Sequence, residues 1–204
     1  MATLPLPTLS KSNATTASFS LISNTQVFES HLNKSTQTYE LPGARWHYTA
    51  TWENLFDEDY FLLKSFILKC RGRAGRFYGY DHTSKVITGS ANGTGTVYGA
   101  AQVGRSIITE WDTTEVIGDW LNPGDYCTIG SELKMIVEVI PLAVTGLATL
   151  VFEPPMRSSP ADASAIVILE PTAVFMLTGD DIDQASKRER IWSPITITGV
   201  EVFL

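Results

Sequence analysis

The side chains that most often do chemistry in proteins are few and widely spaced in this chain of 204 residues. Its three histidines are His31, His47 and His82, and none stands in an HExxH motif or at another paired spacing that binds zinc. The two cysteines, Cys70 and Cys127, form no CxxC pair, so we expect two buried free thiols, with a disulfide as the alternative. The sequence therefore predicts neither a metal site nor a cofactor.

Serine, threonine and carboxylate residues are plentiful, but their patterns match no catalytic motif. No serine stands in a GxSxG nucleophile elbow. The glycine-rich segment Gly93–Gly95 lacks both the GK[ST] ending of a phosphate loop and the GxGxxG dinucleotide fingerprint. Asp180, Asp181 and Asp183 could hold a cation, but no glutamate follows at EF-hand spacing, so a solvated acidic loop is the simpler interpretation. We therefore expect a protein that is not an enzyme.

Composition and charge narrow the classes of protein further. Hydrophobic residues make up 44% of the chain, enough for a packed core, and charged residues make up 18%, which argues against a disordered chain. The formal net charge of −7 argues against a nucleic-acid clamp, because such a protein needs a surplus of Lys and Arg to contact phosphates. No stretch approaches the ~20 apolar residues of a membrane-spanning helix, so no membrane insertion is expected.

The elements that must position any functional residue begin with one strand and one helix. Ala44–Glu53 alternates between apolar and polar residues, which is the period of a half-buried antiparallel strand. A helix is predicted next, capped by Asn54 or Asp57, with an apolar stripe as far as Cys70 and with Gly72 as the residue that ends it. We expect the apolar face of the strand to pack on that of the helix. These faces are Trp46, Tyr48 and Trp52 on the strand and Leu63, Phe66 and Ile67 on the helix.

Most of the remaining chain is predicted as short strands separated by Gly and Pro. Thr88–Gly104 is interpreted as a glycine-rich, turn-rich connection. In the strand Glu132–Ile140, every second residue from Leu133 to Val139 is expected to share one face. The strands predicted after the helix are Gly75–Asp81, Arg105–Thr109, Asp125–Ile129, Glu132–Ile140, Leu147–Phe152, Ala165–Leu169, Ala173–Thr178 and Ile195–Leu204.

This order of elements predicts a mainly β fold with one α-helix. About five short strands between Arg105 and Leu169, without a clear helix, favour a small sandwich or barrel. We expect residues 87–171 to form this all-β unit as an insertion, and residues 1–86 and 172–204 to form one discontinuous domain around it. The two ends of the insertion should then lie close together.

By the order of several short motifs, the sequence resembles the distal tail protein family of long, flexible-tailed (siphovirus-type) bacteriophages. The resemblance runs from about Gly43 to Pro171, and it lies in the succession of the motifs. The motifs around the predicted helix are Gly43-Ala44-Arg45-Trp46-His47-Tyr48-Thr49-Ala50-Thr51-Trp52 and Gly72-Arg73-Ala74-Gly75-Arg76-Phe77-Tyr78. The later motifs are Leu121-Asn122-Pro123-Gly124-Asp125-Tyr126 and Phe152-Glu153-Pro154-Pro155-Met156-Arg157.

The resemblance implies a structural virion protein of the tail tip or baseplate. Members of the family form a hexameric ring that joins the tail tube to the host-recognition tip and forms part of the DNA conduit. Their ring domain is related to the β-sandwich fold of the tube subunit, and in some members a small barrel of the oligonucleotide/oligosaccharide-binding type (OB-like) is inserted into it. The implied partners are further copies of the chain, the tail tube protein and the tail-tip hub protein, with DNA passing through unbound. The implied location is the distal end of the phage tail, after assembly in the host cytoplasm.

The C-terminal part of the chain supplies the candidate contacts between subunits. The loop Gly179–Arg190 has acidic residues towards one end and basic residues towards the other, which suits a head-to-tail interface. The last strand is apolar on both faces near its end, so it is either covered by a neighbouring subunit or is a central strand of its own sheet. The expected contact residues are Asp180, Asp181, Asp183, Lys187, Arg188, Arg190, Ile197, Val202 and Leu204.

Two binding functions are the alternatives to a ring subunit. A β-barrel with exposed aromatic side chains could recognise a cell-surface glycan. Trp111 and Trp120 are then the candidate platforms, and burial in a core is the other outcome for each. A single-strand nucleic-acid barrel fits the sequence less well, because the insertion lacks the basic residues that line such a groove.

Overall fold

The computed structural model describes residues 2–10, 13–83, 87–90, 95–111, 120–142, 146–180, 186–188 and 191–203. The fold is mainly β: 48% of the chain is strand, and the described part contains one α-helix. The strands before the helix are β1 (Thr3–Leu4), β2 (Thr16–Ile22), β3 (Thr25–Glu29), β4 (Thr36–Glu40) and β5 (Arg45–Trp52). The helix α1 is Asp57–Cys70, and the strands after it are β6 (Arg76–Gly79), β7 (Gly95–Val97), β8 (Gly104–Glu110), β9 (Tyr126–Ile129), β10 (Glu132–Pro141), β11 (Leu147–Met156), β12 (Ala165–Val167), β13 (Ala173–Leu177), β14 (Lys187–Arg188), β15 (Ile191–Trp192) and β16 (Ile195–Glu201).

Six of the strands form one sheet in the order β1–β6–β13–β16–β5–β2, with β1 and β2 at its edges. In this sheet β1 and β6 run parallel, and the other neighbouring pairs are antiparallel. Strand β5 has the predicted alternation, since its even-numbered residues from Trp46 to Trp52 are buried and those between them are more exposed. The strand prediction for this segment is therefore confirmed.

The helix predicted after β5 is confirmed, and it covers the apolar face of the sheet. Its residues Leu63, Phe66 and Ile67 are buried in the same cluster as the buried face of β5. The two predicted faces therefore belong to one buried core, in which the Trp46 ring itself packs on Phe19 and Tyr126. Burying these two faces against each other removes both from water, which is the main source of stability for an amphipathic helix.

The ends of the helix differ in detail from the predicted ones. The N-cap is Phe56, whose side chain makes no capping hydrogen bond, so neither Asn54 nor Asp57 is the capping residue. Asn54 instead turns the chain with a φ of 55°. The acidic first turn places negative charge at the positive end of the helix dipole. At the other end, the left-handed conformation begins one residue before Gly72, at Arg71, whose φ is 50°.

Six further strands close into a barrel in the order β10–β11–β8–β7–β12–β9, and β9 pairs again with β10. The prediction of a small barrel is confirmed at this level. One correction concerns the glycine-rich segment predicted as a turn-rich connection, which contains strand β7. Gly95 of this strand lies against the indole ring of Trp111, and a Cβ at this position would lie 2.6 Å from ring atoms. Close packing of the ring on the backbone therefore requires glycine here.

Strand β10 contains a bulge that changes which of its residues face the barrel core. Its pairing with β11 shifts register between Ile136 and Glu138. As a result Ile136 is fully buried, whereas Val137 is 47% exposed. The prediction that every second residue from Leu133 to Val139 shares one face is wrong, because the extra residue of a bulge reverses the alternation beyond it.

The barrel strands all lie between β6 and β13, which are neighbours in the six-stranded sheet. Gly79 at the end of β6 is the register partner of Ala173 at the start of β13, so the chain leaves and re-enters the sheet at adjacent positions. The barrel nevertheless adds to the core of the sheet, because Tyr126 and Leu133 belong to the same buried cluster. The Trp46 indole N–H also donates to the Leu133 carbonyl oxygen at 3.1 Å. The two parts of the fold therefore share a packed boundary.

Candidate functional site

The described residues of the charged loop lie against the two ends of α1 in the same chain. The Asp180 carboxylate accepts a hydrogen bond from the Arg73 backbone N–H at 2.8 Å, just beyond the C-terminal end of the helix. At the N-terminal end, the Asp57 carboxylate contacts the Lys187 ammonium and accepts the Trp192 indole N–H at 2.7 Å. The hydrogen bond from Lys187 lowers the pKa of Asp57. These contacts attach the loop to its own helix.

Part of the predicted contact set lies outside the described residues. Asp181, Asp183, Arg190 and Leu204 are not described, and of Arg188 only the backbone is described, in strand β14 paired with β15. The role of these five residues as subunit contacts stays a prediction.

The last strand was predicted to be either covered by a neighbouring subunit or central in its own sheet, and the structure shows that it is central. Strand β16 lies between β13 and β5, so both of its edges are paired within the chain. Ile197 is 1% exposed in the core, so the prediction that it contacts a neighbouring subunit is wrong, because a side chain buried in its own sheet does not reach a neighbour. Val202 lies beyond the strand and is half-buried, and its N–H donates to the Val174 carbonyl oxygen at 2.8 Å.

Neither tryptophan predicted as a glycan platform is exposed. Trp111 is 3% exposed and Trp120 is 0% exposed, and their ring centroids lie 4.9 Å apart in the barrel core. The Trp111 indole N–H donates to the Thr109 hydroxyl oxygen at 2.9 Å, and that hydroxyl donates to the Ala148 carbonyl oxygen at 3.0 Å. The prediction of a platform at these residues is wrong, because a sugar can stack only on a ring face that is open to solvent.

Four charged residues meet where the barrel contacts the six-stranded sheet, and we call this cluster the charged junction. It consists of Glu132 and Lys134 of β10, Arg157 after β11, and Glu201 of β16. The Lys134 ammonium is fully buried and donates to Glu132 Oε2 at 2.7 Å and to the Pro155 carbonyl oxygen at 3.1 Å. The sequence showed Arg157 only as part of a motif and did not indicate that these four charges meet, because they come from distant segments. The available signal was a pair of charges at the start of an otherwise apolar strand.

Arg157 joins two carboxylates that belong to different parts of the fold. Its Nη1 lies 3.7 Å from Glu132 Oε2, and its Nη2 lies 3.6 Å from Glu201 Oε2. Its guanidinium also donates to the carbonyl oxygen of Ala44, just before β5, and lies 3.1 Å above the centre of the Phe203 ring. The charged junction therefore ties barrel strand β10 to the central part of the sheet.

The two carboxyl groups of the charged junction have pKa values shifted in opposite directions. Burial opposes ionisation of Glu132, but Lys134 and the backbone N–H groups of Arg157 and Ser158 together outweigh it, so the pKa of Glu132 is lowered. Burial raises the pKa of Glu201, although the Trp46 backbone N–H, which donates to it at 3.0 Å, and Arg157 act in the other direction. Burial also lowers the pKa of Lys134. The charged junction is thus a structural network in which neighbouring groups offset the cost of burying the charge of Glu132 more fully than that of Glu201.

A cavity of about 470 Å³ lies between the N-terminal segment, the end of β6 and the residues before β13. The aromatic and acidic side chains in its wall are Trp52, Tyr78, Tyr80, Asp81, His82 and Glu170. His82 Nε2 lies 2.9 Å from the Tyr48 hydroxyl oxygen, so this histidine is held by a local hydrogen bond. The wall offers ring faces and hydrogen-bonding groups of the kind found in small-ligand pockets.

Both cysteines are buried free thiols, as predicted. Burial raises the pKa of Cys70 to about 11 and that of Cys127 to about 12, so neither is a reactive thiolate at neutral pH. Among the described residues, no three His, Cys, Asp or Glu side chains are grouped closely enough to hold a metal ion. No helix in the described part is long and apolar enough to cross a membrane.

The sequence was compared with models of known protein families and with curated proteins, and neither comparison gave a match. The function must therefore be inferred from the motifs, fold and contacts of the chain itself.

Proposed function

We propose that this protein is a subunit of the ring at the distal end of a bacteriophage tail, where it joins the tail tube to the host-recognition tip. The observation that carries the proposal is a closed barrel inserted between two neighbouring strands of a sheet that has one flanking helix. The resemblance to distal tail proteins implies this same arrangement, a tube-like ring domain with an OB-like barrel inserted into it. The four motifs of the resemblance lie on β5, after α1, before β9 and at the end of β11.

The motif residues have roles in the architecture that explain their types. Asp125 accepts hydrogen bonds from the backbone N–H groups of Asn122 and Thr88, both at 2.7 Å, so it holds the segment that enters the barrel. Arg157 belongs to the charged junction between barrel and sheet. Gly75 lies so close to the end of α1 that a Cβ there would be 2.2 Å from the Cys70 carbonyl oxygen. The motifs thus mark places where parts of the fold join, which supports a structural role.

The charge of the chain fits a conduit for DNA. A net charge of −7 gives a ring that repels phosphates, so DNA can pass through it without being retained. The proposed partners are further copies of the chain in a hexamer, the tail tube protein and the tail-tip hub protein. The proposed location is the distal end of the tail in the virion, and no catalytic activity is proposed.

The mass and shape of the assembled protein test this proposal. Light scattering after size exclusion should give a hexamer of the 22.4 kDa chain, and negative-stain images should show rings with six-fold symmetry. A protein that stays monomeric and does not bind the ends of tail tubes would refute it. The carbohydrate-binding alternative, whose two platform candidates are buried, predicts instead a monomer that is retained by immobilised glycans.

The charged loop offers a local test of the ring. Reversing Lys187, Arg188 and Arg190 to glutamate should weaken the hexamer and leave the monomer folded, as followed by light scattering and circular dichroism. Because Lys187 also contacts Asp57 in its own chain, Asp57→Asn is the control for loss of that contact alone. Normal assembly of the triple variant in moderate salt would show that the loop is not a major contact of the ring.

A further inference from the structure

Strands β3 and β4 form a two-stranded hairpin outside both the six-stranded sheet and the barrel, and the Glu40 carboxylate of β4 pairs with the Arg105 guanidinium of β8. They pair from Thr25 opposite Glu40 to Glu29 opposite Thr36, and every residue of both strands is exposed. A two-stranded hairpin on its own is at best marginally stable in water, because it has no core. This hairpin therefore has the form of an element that is completed by packing on another surface.

The hairpin carries a set of exposed apolar side chains that we call the hairpin patch. These side chains are 55% to 98% exposed, and they are Val27, Phe28, Leu32 and Tyr39. Phe28 pairs with Gln37, two residues from Tyr39, so the two aromatic rings are diagonal neighbours on one face of the hairpin. Leu32 lies in the turn at the tip. Phe28 and Tyr39 therefore share one face, Val27 lies on the opposite face, and Leu32 adds to the patch at the tip.

The exposed side of α1 carries a second apolar set, which we call the helix patch. Its side chains are 47% to 57% exposed, and they are the N-cap residue Phe56 just before the helix and Phe61, Leu62 and Leu68 within it. The Phe61 ring also lies edge-on to the ring of Trp192, at 5.9 Å between centroids. Phe61 and Leu68 are seven residues apart, so they lie on one stripe of the helix, with Ser65 between them. The helix has 14 residues and is about 21 Å long, and the five-residue strands of the hairpin are about 17 Å long. The two patches therefore match in length.

We infer that the hairpin patch of one copy of the chain docks on the helix patch of the next copy. This inference rests on the proposed ring. The two patches lie on different elements and differ in shape, so the contact is head-to-tail, and head-to-tail contacts generate rings when the rotation between copies closes. A second copy covers both patches of every chain at once, whereas an unrelated partner covers only one of them.

The exposed area is of the size that such a contact needs. With about half or more of each side chain exposed, each patch presents roughly 400–500 Å² of apolar surface. The largest apolar patch on a soluble protein is commonly of this size, and it is often functional. The area is also more than half of the ~800 Å² that each partner buries in a standard interface.

Disulfide trapping between chains tests the contact directly. Oxidation of a Phe28→Cys/Phe61→Cys variant should give a ladder of cross-linked chains up to the closed ring. The two native cysteines are buried, so they should not contribute to these cross-links. The matched control is Tyr98→Cys with Phe61→Cys, since Tyr98 is an aromatic residue of the barrel region that is 50% exposed. Equal cross-linking in the control, or a disulfide formed within one chain, would overturn the proposal.

Charged substitutions give an independent test of the same contact. Phe28→Asp and Phe61→Asp should each keep the circular dichroism of the folded chain, because both side chains are exposed. Each should raise the concentration needed for half-assembly by about tenfold or more, the effect of losing one central interface side chain. Tyr98→Asp should assemble like wild type. Normal assembly of either patch variant overturns the proposal.

Mixing the two patch variants tests the head-to-tail direction. An equal mixture of Phe28→Asp and Phe61→Asp should form dimers and stop there, because one intact helix patch then meets one intact hairpin patch. Absence of these mixed dimers would overturn the proposal.

The outcomes distinguish this contact from the ring itself. Wild-type rings together with normal rings of Phe28→Asp would leave the ring in place and overturn the hairpin contact. A wild-type chain that never self-associates would overturn both. A hairpin that cross-links to the tail tube protein or the hub protein, and not to a second copy, would overturn the choice of occupant.

Discussion

Replacing Glu132 with glutamine should destabilise the protein, whereas replacing Glu201 with glutamine should leave its stability equal to wild type or slightly higher. Glutamine has nearly the shape of glutamate, but its amide nitrogen donates where a carboxylate oxygen accepts, so each substitution removes the negative charge and one accepting oxygen. Both residues belong to the charged junction, and both are close to Arg157. The opposite signs follow from how well each carboxylate is compensated.

Glu132 is the counter-charge of a fully buried lysine. The Lys134 ammonium lies 2.7 Å from the Glu132 carboxylate, and its side chain has no exposed surface. In Glu132→Gln this ammonium stays buried without its nearest anion, and removing one partner of a buried pair costs about 3–5 kcal/mol. The double variant Glu132→Gln/Lys134→Met removes both charges, so it should recover most of that loss.

The negative charge of Glu201 is offset less well by neighbouring positive charges than that of Glu132. The nearest nitrogen of Arg157 lies 3.6 Å away, and burial raises the pKa of the carboxyl, so its ionised form lowers the free energy of unfolding at neutral pH. Glutamine at this position can still accept the Trp46 backbone N–H that the carboxylate accepts at 3.0 Å. The variant therefore resembles the protonated wild type and should show no loss at pH 7.

The difference in unfolding free energy between each variant and wild type should also depend on pH, and in opposite directions for the two variants. The pKa of Glu132 is lowered in the folded state, so its contribution is fully present above the ordinary value of 4.5 and is lost as the pH falls through the folded-state value. The pKa of Glu201 is raised in the folded state, so wild type has no disadvantage at a pH below the ordinary pKa of 4.5. As the pH rises through the folded-state pKa, wild type loses stability relative to Glu201→Gln. Urea unfolding followed by tryptophan fluorescence at pH 7 and near pH 3 measures both differences.

Two results would refute this reasoning. Equal destabilisation by the two substitutions would show that shape, and not the compensation of charge, decides stability at the charged junction. A loss for Glu132→Gln that stays the same near pH 3 would show that the pairing with Lys134 is not its cause.

Three further predictions concern the core, the insertion and the thiols. Trp52→Ala should lower the free energy of unfolding by about 3–5 kcal/mol, and an unmoved thermal melt would contradict its placement against the helix. Deleting residues 87–171 and joining the ends with a short Gly/Ser linker should leave a folded sheet by NMR, with a lower melting temperature because Trp46 loses its barrel acceptor. An unfolded product would show that the sheet depends on the barrel for its core. Cys70 and Cys127 should not react with a thiol reagent at pH 8 until urea unfolds the chain, and rapid labelling of the native protein would contradict their burial.

The sequence by itself determined the elements whose signals lie within a few neighbouring residues. The 14 residues of α1 include the acidic first turn and the apolar stripe, and the left-handed end follows at once, so its bounds were predicted closely. The alternation of apolar and polar residues in β5 predicted its buried face correctly, because this signal also lies within neighbouring residues. The number and spacing of the later short strands also determined that this part of the chain is a small β structure.

The tertiary structure decided which residues meet and what covers each face. Local periodicity shows that two faces of a strand differ, but it does not show whether a neighbouring strand, a second domain or solvent lies beside them. Ile197 is therefore a core residue because β13 and β5 flank its strand, and Trp111 is buried because the barrel closes around it. The Trp46 backbone N–H and the Glu201 carboxylate meet across 155 positions, and no pattern within either segment encodes that contact. Only the pairing of distant strands brings such groups together, because it is the fold as a whole that pays the entropy of closing the long loops between them.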